Sequence, residues 1–181
     1  MRELSLHILD IAQNSIEAGA DNIEITVEEN EASDLLTIRI SDDGPGIPGE
    51  ILKDITDPFV TSRRTRRVGL GIPLFQEASR MAGGDFQIQS VVGQGTQVEV
   101  GFKISSIDRA PLGDMAETMA LLITCNPHVN FKYQHSRGKD KYVCSTSALA
   151  DMLGEIPIGS PCGVPVIRNI IKKGLEHIQR S

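Results

Sequence analysis

The sequence predicts an α+β fold with two layers, in which helices pack on one face of a mixed or antiparallel sheet. Apolar residues recur at helical spacing in residues 4–18 and again from about residue 73 to 82. After each helix, apolar and polar residues alternate in two short runs, which is typical of a strand pair. The order helix, strand pair, loop, helix, strand pair places the helices on one side of one sheet.

The first helix is amphipathic and ends at Gly19, a residue that commonly stops helices. Its apolar stripe is expected to face the core and consists of Leu4, Ile8, Ile11, Ala12 and Ile16. The opposite face is expected to meet water and carries His7, Asp10, Gln13, Asn14 and Glu17.

The two strand pairs are recognised by alternation with a period of two. The first pair, with a turn at residues 30–34, is marked by Ile23, Ile25, Val27, Leu36, Ile38 and Ile40. The second pair, with a turn at residues 93–95, is marked by Phe86, Ile88, Val98, Val100, Phe102 and Ile104.

Residues beyond 104 are expected to form a smaller unit. The polar segment 105–113 contains Pro111 and is predicted to be a linker between a domain of residues 1–104 and a small α+β appendage of residues 114–181. Within the appendage we expect a helix from Met115 to Thr124, a hairpin around residues 137–139, a helix opening at Ser147 and a final helix.

Composition excludes several classes of protein. The chain of 181 residues has a net charge of −6 and a pI near 5.2, so no overall field attracts nucleic acid or anionic lipid. It shows no signal-peptide core and no run near the ~20 apolar residues of a membrane span, which predicts a cytoplasmic protein. The three widely spaced cysteines predict reduced thiols, because no disulfide or zinc pattern accompanies them.

The stretch VGLGIPL, residues 68–74, has the form of a phosphate-binding turn. Gly69 and Gly71 let the backbone approach a ligand closely, and the next helix begins at once, with its free N–H groups and partial positive charge. The preceding SRRTRR adds four arginines to an otherwise acidic protein. A plain turn and a solvated loop are the alternatives, since this is neither a Walker A loop nor a full Gly-x-Gly-x-x-Gly fingerprint.

Asp10 and Asn14 lie one helical turn apart on the polar face of the first helix. Simple solvation explains them. Alternatively, the amide oxygen of Asn14 binds Mg²⁺, which prefers few protein oxygens together with water and phosphates. Asp10 could then polarise a water or hydroxyl near the terminal phosphate.

The stretch SDDGPGIP, residues 41–48, ends the second strand and has three interpretations. A calcium loop would need oxygens at alternating positions and a distal glutamate, which Gly-Pro-Gly does not supply. A plain turn explains the glycines but not a carboxylate at the strand's end. In the third interpretation, Asp42 accepts a hydrogen bond from the exocyclic amine of a base, while Gly44 and Gly46 make room for the ring.

These motifs resemble, in order, those of the ATP-binding domain shared by histidine kinases, Hsp90, DNA gyrase and MutL. The resemblance covers about residues 4–104 and rests on LDIAQNSIEAGA, SDDGPGIP, DPFVTS, VGLGIPLFQEASRMAGG and GQGTQVEV. It implies the two-layer Bergerat fold and ATP with Mg²⁺ as ligands.

The resemblance also implies roles for individual residues. Asn14 corresponds to the asparagine that binds Mg²⁺, Asp42 to the aspartate that reads the adenine amine, and Thr96 to the threonine that supports that aspartate. The base pocket is expected to include Gly44, Gly46 and Ile47. The lid and phosphate contacts are expected among residues 59–72, at Phe59, Thr61, Ser62, Gly69, Leu70, Gly71 and Ile72.

Two residues depart from the family pattern. Asp10 stands where the ATPase and serine-kinase branches usually carry glutamate, so its carboxylate is shorter by one methylene, about 1.5 Å. Because a misplacement of about 1 Å can cost ~100-fold in rate, slow intrinsic hydrolysis is expected. Arg67 stands where histidine kinases commonly have the first lid glycine, which is expected to stiffen the lid.

Two functional hypotheses follow, and both include a protein partner. The first motif begins within ten residues of Met1, and 77 residues follow Ile104. Neither a preceding phosphoacceptor hairpin nor a clamp of the gyrase, MutL or Hsp90 type is therefore expected. The first hypothesis is a stand-alone kinase acting on a separate protein, resembling anti-sigma-factor serine kinases, with Asp10 as catalytic base. The second is a binding module in which ATP orders the lid and the appendage presents a partner surface. A homodimer is compatible with both.

Overall fold

The computed structural model describes residues 3–56 and 71–179, which form six helices and six strands. A short 3-10 helix, Glu31–Ser33, joins the first two strands. The helices are α1 (Leu4–Glu17), α2 (Gly49–Thr56), α3 (Gly71–Met81), α4 (Met115–Cys125), α5 (Thr146–Leu153) and α6 (Gly163–Gln179). The strands are β1 (Asn22–Asn30), β2 (Leu35–Asp42), β3 (Phe86–Val91), β4 (Gly95–Lys103), β5 (Asn130–Arg137) and β6 (Asp140–Ser145).

All six strands form one mixed sheet in the order β3-β4-β2-β1-β5-β6. Neighbouring strands run antiparallel except β1 and β5, which are parallel. A parallel strand has to be reached by a crossover rather than a tight turn, and α4 lies in the connection from β4 to β5. The α+β fold with a mixed sheet is therefore confirmed.

The two faces of the sheet differ in polarity. On β1, Ile23, Ile25 and Val27 are buried, while the residues between them reach the other face and are at least partly exposed. On β5 the buried positions are Phe131, Tyr133 and His135. The helices thus cover one face, and the open face carries ion pairs such as Lys132 with Glu24, 2.8 Å apart.

The described residues after 104, which were expected to form a linker and an appendage, share the sheet and the core of the preceding residues. The backbone N–H groups of Leu4 and Ser5, at the start of α1, donate to the carbonyls of Pro111 and Leu112 at 2.9 and 2.8 Å. These carbonyls satisfy helix N–H groups that no side chain caps. Since α4 also packs on α1, we propose that the described residues fold as one unit rather than two.

One side chain on the expected polar face of α1 is not in water. His7 is 2% exposed and stacks on Phe75 of α3, with ring centroids 5.0 Å apart. The expectation that His7 faces solvent is therefore wrong, because α3 covers this side of α1.

Tyrosine fluorescence can test whether the described residues fold as one unit. The chain has no tryptophan, and its two tyrosines, Tyr133 in β5 and Tyr142 in β6, report on the C-terminal part. Ile8 of α1 is 0% exposed, and we expect Ile8→Ala to lower the free energy of unfolding by about 2–5 kcal/mol. In this variant the urea midpoint measured by tyrosine fluorescence and the midpoint measured by far-UV circular dichroism should fall by the same amount. Leu6→Ala, at a position 41% exposed on the same helix, should change stability by about 0.5 kcal/mol or less. If Ile8→Ala left the urea midpoint measured by tyrosine fluorescence unchanged, the chain would consist of two independent units.

Candidate functional site

A pocket opens between α1 and the end of β2, beside the loop that follows Asp42. Most of its lining is apolar, with a few polar side chains, which is the usual composition of a small-molecule site. The lining residues are Ile11, Asn14, Ser15, Ala18, Ile40, Asp42, Pro45, Gly46, Ile47, Ile72, Thr96 and Val98.

The carboxylate of Asp42 is held by donors from three different elements. Ser15 Oγ of α1 donates to Asp42 Oδ2 at 2.6 Å, and the backbone N–H of Gly44 donates to Oδ1 at 3.0 Å. The backbone N–H of Thr96, opposite Asp42 in the β2–β4 pair, donates to Oδ1 at 3.2 Å. An ionised carboxylate offers about four acceptor positions. The described residues use three of them, which leaves one on Oδ2.

The loop of residues 44–48 is docked on the turn between β3 and β4. Gly93 N–H donates to the carbonyl of Pro45 at 2.8 Å. Gly46 has a φ of 70°, and a Cβ atom added there would lie 2.2 Å from the carbonyl oxygen of Val91. Only glycine fits this left-handed position and this close approach. The backbone conformation of the loop therefore requires glycine at position 46, whether or not a base binds beside it.

The adjacent acid, Asp43, has a structural role. Its carboxylate accepts hydrogen bonds from the backbone N–H groups of Asp21 and Asn22 at 2.9 and 2.8 Å and from the Asn22 side chain at 2.6 Å. These donors, the Asn22 side chain above all, lower the pKa of Asp43 below its ordinary value. Asp43 is exposed and ties the end of β2 to the start of β1.

Asn14 has an unsatisfied polar group at the pocket. Its Nδ2 is buried and finds no acceptor among residues 3–56 and 71–179. A buried donor left without a partner costs about 1–3 kcal/mol. A ligand oxygen at this point, such as that of a phosphate or a metal-bound water, would supply the missing acceptor. The amide N–H of Asn14 therefore fits a ligand oxygen, and its amide oxygen is the atom that could bind a cation.

Asp10 lies where α1 meets the first residue of α3. A Cβ atom added at Gly71 would come within 2.2 Å of Asp10 Oδ2. The carboxylate thus sits at the N-terminal end of a helix, where negative charge is favoured. Within the described ranges, no group of three or more histidine, cysteine, aspartate or glutamate side chains could hold a metal ion.

The structure brings together most of the predicted site residues that it describes. One pocket is lined by Asn14, Asp42, Gly46, Ile47, Ile72 and Thr96. Gly44 contacts Asp42, and Asp10 contacts Gly71. The remaining predicted residues lie outside the described ranges and are Phe59, Thr61, Ser62, Arg67, Gly69 and Leu70.

Two serines of the site were missed by sequence reasoning. Ser15 is a buried polar residue on α1, one turn after Ile11. Ser90 occupies an inward position on β3, in step with Phe86 and Ile88. In both cases a polar residue at a core-facing position is the signal, because such a group needs a hydrogen-bond partner.

Comparison with known proteins identifies the family. Residues 2–106 match the model of the histidine kinase-, DNA gyrase B- and HSP90-like ATPases, which covers more than half of the chain. The chain belongs to this family, and it is an ATP-binding protein.

Two curated relatives match about half of the chain. Sporulation kinase D of Bacillus subtilis is 32% identical over 99 residues, 55% of this chain and 19% of that protein. Sensor protein kinase WalK of Staphylococcus haemolyticus is 35% identical over 95 residues, 50% of this chain and 16% of that protein. The chain spans less than a fifth of the length of either kinase.

A solved structure extends the likeness in fold. The N-terminal domain of a DNA repair protein superposes with a TM-score of 0.53 at 14% identity, covering 86% of this chain and 58% of that one. This coverage is larger than the family match, so the shared fold includes residues beyond 106. Separately, no helix in the described part of the chain is both long and apolar enough to cross a bilayer.

We expect the two neighbouring acids to respond differently to the same substitution. Asp42→Asn removes one acceptor oxygen and the charge from the pocket, and should weaken ATP binding by roughly 10- to 100-fold, since hydrogen bonds to charged groups contribute about 1.5–3 kcal/mol. Asp43→Asn, the matched control, should leave ATP affinity within a few-fold. Isothermal titration calorimetry measures both. If both variants lost ATP affinity equally, residues 41–48 would be only a turn.

Burial of His7 predicts a pH dependence of stability. Removal from water lowers the pKa of His7 to about 4 from an ordinary value of 6.5. The unfolded chain therefore binds a proton below pH 6.5 that the folded chain does not bind until about pH 4. Stability should fall across this interval by up to about 3 kcal/mol. His7→Phe should flatten the dependence in urea titrations, whereas His128→Gln, at an exposed position, should not. An unchanged slope in His7→Phe would contradict the assignment.

Proposed function

We propose that the protein is a regulatory kinase that binds ATP with Mg²⁺ and phosphorylates a separate protein. The observation that carries this proposal is that Asn14 and Asp42 line one pocket, while Asp10, on the same helix as Asn14, lies against Gly71 at the start of α3. The proposed base-reading group, Asp42, and the proposed cation ligand, Asn14, thus share one pocket, and Asp10 lies one helical turn before Asn14.

In this proposal one group of residues contacts the base of the nucleotide and another contacts its phosphates. Asp42 accepts a hydrogen bond from the adenine amine, and Gly44, Gly46 and Ile47 line the ring. Asn14 holds Mg²⁺, which neutralises phosphate charge when bound. When the acceptor is a serine, Asp10 takes the proton of its hydroxyl as that oxygen bonds to the γ-phosphorus and ADP leaves.

Transfer to another protein is supported by the burial of two of the four histidines, His7 and His135. His7 is buried under Phe75. His135 is also buried, and both ring nitrogens are engaged, Nδ1 with Tyr133 Oη at 3.0 Å and Nε2 with Glu29 at 2.8 Å. Neither ring can reach a nucleotide in the pocket without leaving the core. A serine or histidine of a partner is the proposed acceptor, and the cytoplasm, where ATP is available, is the proposed compartment.

A second candidate function is a nucleotide-responsive switch that hydrolyses ATP slowly or not at all. Two features of Asp10 favour it. The side chain is shorter than glutamate, and its carboxylate already packs against Gly71. A base in this position has little freedom to reach a substrate. In the switch, ATP would alter the lid and so control docking of a partner, with residues 114–179 adding to the surface.

Labelled ATP distinguishes the two functions. The full chain is incubated with γ-labelled ATP, Mg²⁺ and cell lysate. A kinase transfers label to a distinct protein, and Asn14→Ala should reduce transfer by at least tenfold while Gln13→Ala, on the exposed neighbour, should not.

Three other results are informative. Tight ATP binding with no transfer would support the switch, and a nucleotide-free pulldown that recovers the same partners equally well would contradict it. Label that stays on the chain itself would contradict transfer to a partner.

A further inference from the structure

Ser90 of β3 is the hub of a small hydrogen-bond network behind the pocket. The backbone N–H of Ile47 donates to Ser90 Oγ at 2.7 Å. Ser90 Oγ lies 3.0 Å from the carbonyl oxygen of Gly95 and 2.8 Å from Thr96 Oγ1. Ser90 faces Thr96 directly in the β3–β4 pair and does not line the pocket between α1 and β2.

The hydrogen bonds around Ser90 determine which acceptors receive the hydroxyl protons of Ser90 and Thr96. A serine hydroxyl has one proton to donate and two lone pairs that accept. If Ser90 donates to Gly95 and accepts from Ile47 and Thr96, all three contacts are hydrogen bonds. If Ser90 donates to Thr96 instead, the Gly95 contact is lost. The first arrangement satisfies more partners, so the proton of Thr96 is directed to Ser90 and away from the pocket.

The hydroxyl of Ser15, the other hydroxyl near Asp42, also has a single proton to donate. Ser15 Oγ directs its proton to Asp42 Oδ2 at 2.6 Å. Thr96 and Ser15 both line the pocket, yet each has its only hydroxyl proton committed elsewhere. Asp42 has one acceptor position left on Oδ2, and the Thr96 oxygen has lone pairs. The three side chains at this end of the pocket therefore present acceptors and no free donor.

We propose that Ser90 is a positioning residue that makes the site select 6-amino purines and reject 6-oxo purines. The inference rests on the proposed role of Asp42 in reading the base. An exocyclic amine brings N–H donors to these acceptors. A 6-oxo group would place a further acceptor against them, which leaves polar groups unpaired and is strongly disfavoured. Ser90 acts through Thr96, whose proton it holds.

Without Ser90, the Thr96 hydroxyl regains its rotation. Its proton can then turn to the pocket and donate to a 6-oxo group. The site should lose discrimination rather than simply lose affinity, because Thr96 can serve either kind of base after the change. This distinguishes a positioning role for Ser90 from general support of the loop at Ile47, which would weaken both ligands equally.

The test compares ATP with inosine triphosphate, which carries an oxo group at position 6. Dissociation constants are measured by isothermal titration calorimetry with Mg²⁺ for the full chain, Ser90→Ala, Ser90→Thr and Gln87→Ala. We expect Ser90→Ala to lower the preference for ATP by roughly tenfold, the equivalent of one hydrogen bond of about 1.4 kcal/mol. Ser90→Thr keeps the hydroxyl and should retain the preference. Gln87→Ala, on an exposed position of the same strand, should match the unmodified chain.

The outcomes separate this inference from the function on which it rests. If the unmodified chain does not prefer ATP, the proposed base reading by Asp42 fails, and this inference fails with it. If the unmodified chain prefers ATP and Ser90→Ala weakens both nucleotides by the same factor, Ser90 only supports the fold and the inference alone is overturned. Thermal unfolding of Ser90→Ala confirms that the variant compared is folded.

Discussion

The rest of the site depends on the hydrogen bonds that hold the Asp42 carboxylate. Its donors come from α1, from the loop after β2 and from β4, so they meet only when α1 lies across the end of the sheet and β4 pairs with β2. A charged carboxylate in a largely apolar pocket is tolerated because its oxygens are hydrogen-bonded. The three donors hold the carboxylate in one orientation and leave one acceptor position on Oδ2, which is the preorganisation that a selective binding site needs.

The residues outside the family match contribute to this arrangement through α1. The carbonyls of Pro111 and Leu112 cap its first turn, and α4 packs along it. β5 continues the sheet beside β1. Since α1 carries Asp10, Asn14 and Ser15, the C-terminal part of the chain helps to position both ends of the cleft. A partner that contacts this part of the chain would touch the scaffold of the proposed nucleotide site.

Sequence reasoning located the parts of the molecule that local rules determine. The stripe of α1, the two hairpins and the strand end at Asp42 follow from periodicity and turn chemistry. The parallel pairing of β1 with β5 could not be predicted in this way, because alternation tells which face a residue occupies and not which strand lies beside it. His7 was assigned to water for a similar reason, since a helical wheel does not show that α3 covers it.

The site itself was partly predictable. Asn14 and Asp42 were identified from their chemistry together with the family resemblance. Ser15 and Ser90 were not, because the role of a hydroxyl depends on partners that only the fold brings near. Ser15 meets Asp42 across 27 positions of sequence. Thr96 was expected to support Asp42, and the structure shows that its backbone N–H makes the contact while its hydroxyl pairs with Ser90.

The most direct test is a crystal structure of the full chain with a non-hydrolysable ATP analogue and Mg²⁺. The account predicts that the adenine amine lies about 3 Å from Asp42 Oδ2, with the phosphates between Asn14 and the start of α3. A base bound elsewhere, or bound in this pocket with its amine turned away from Asp42, would contradict it.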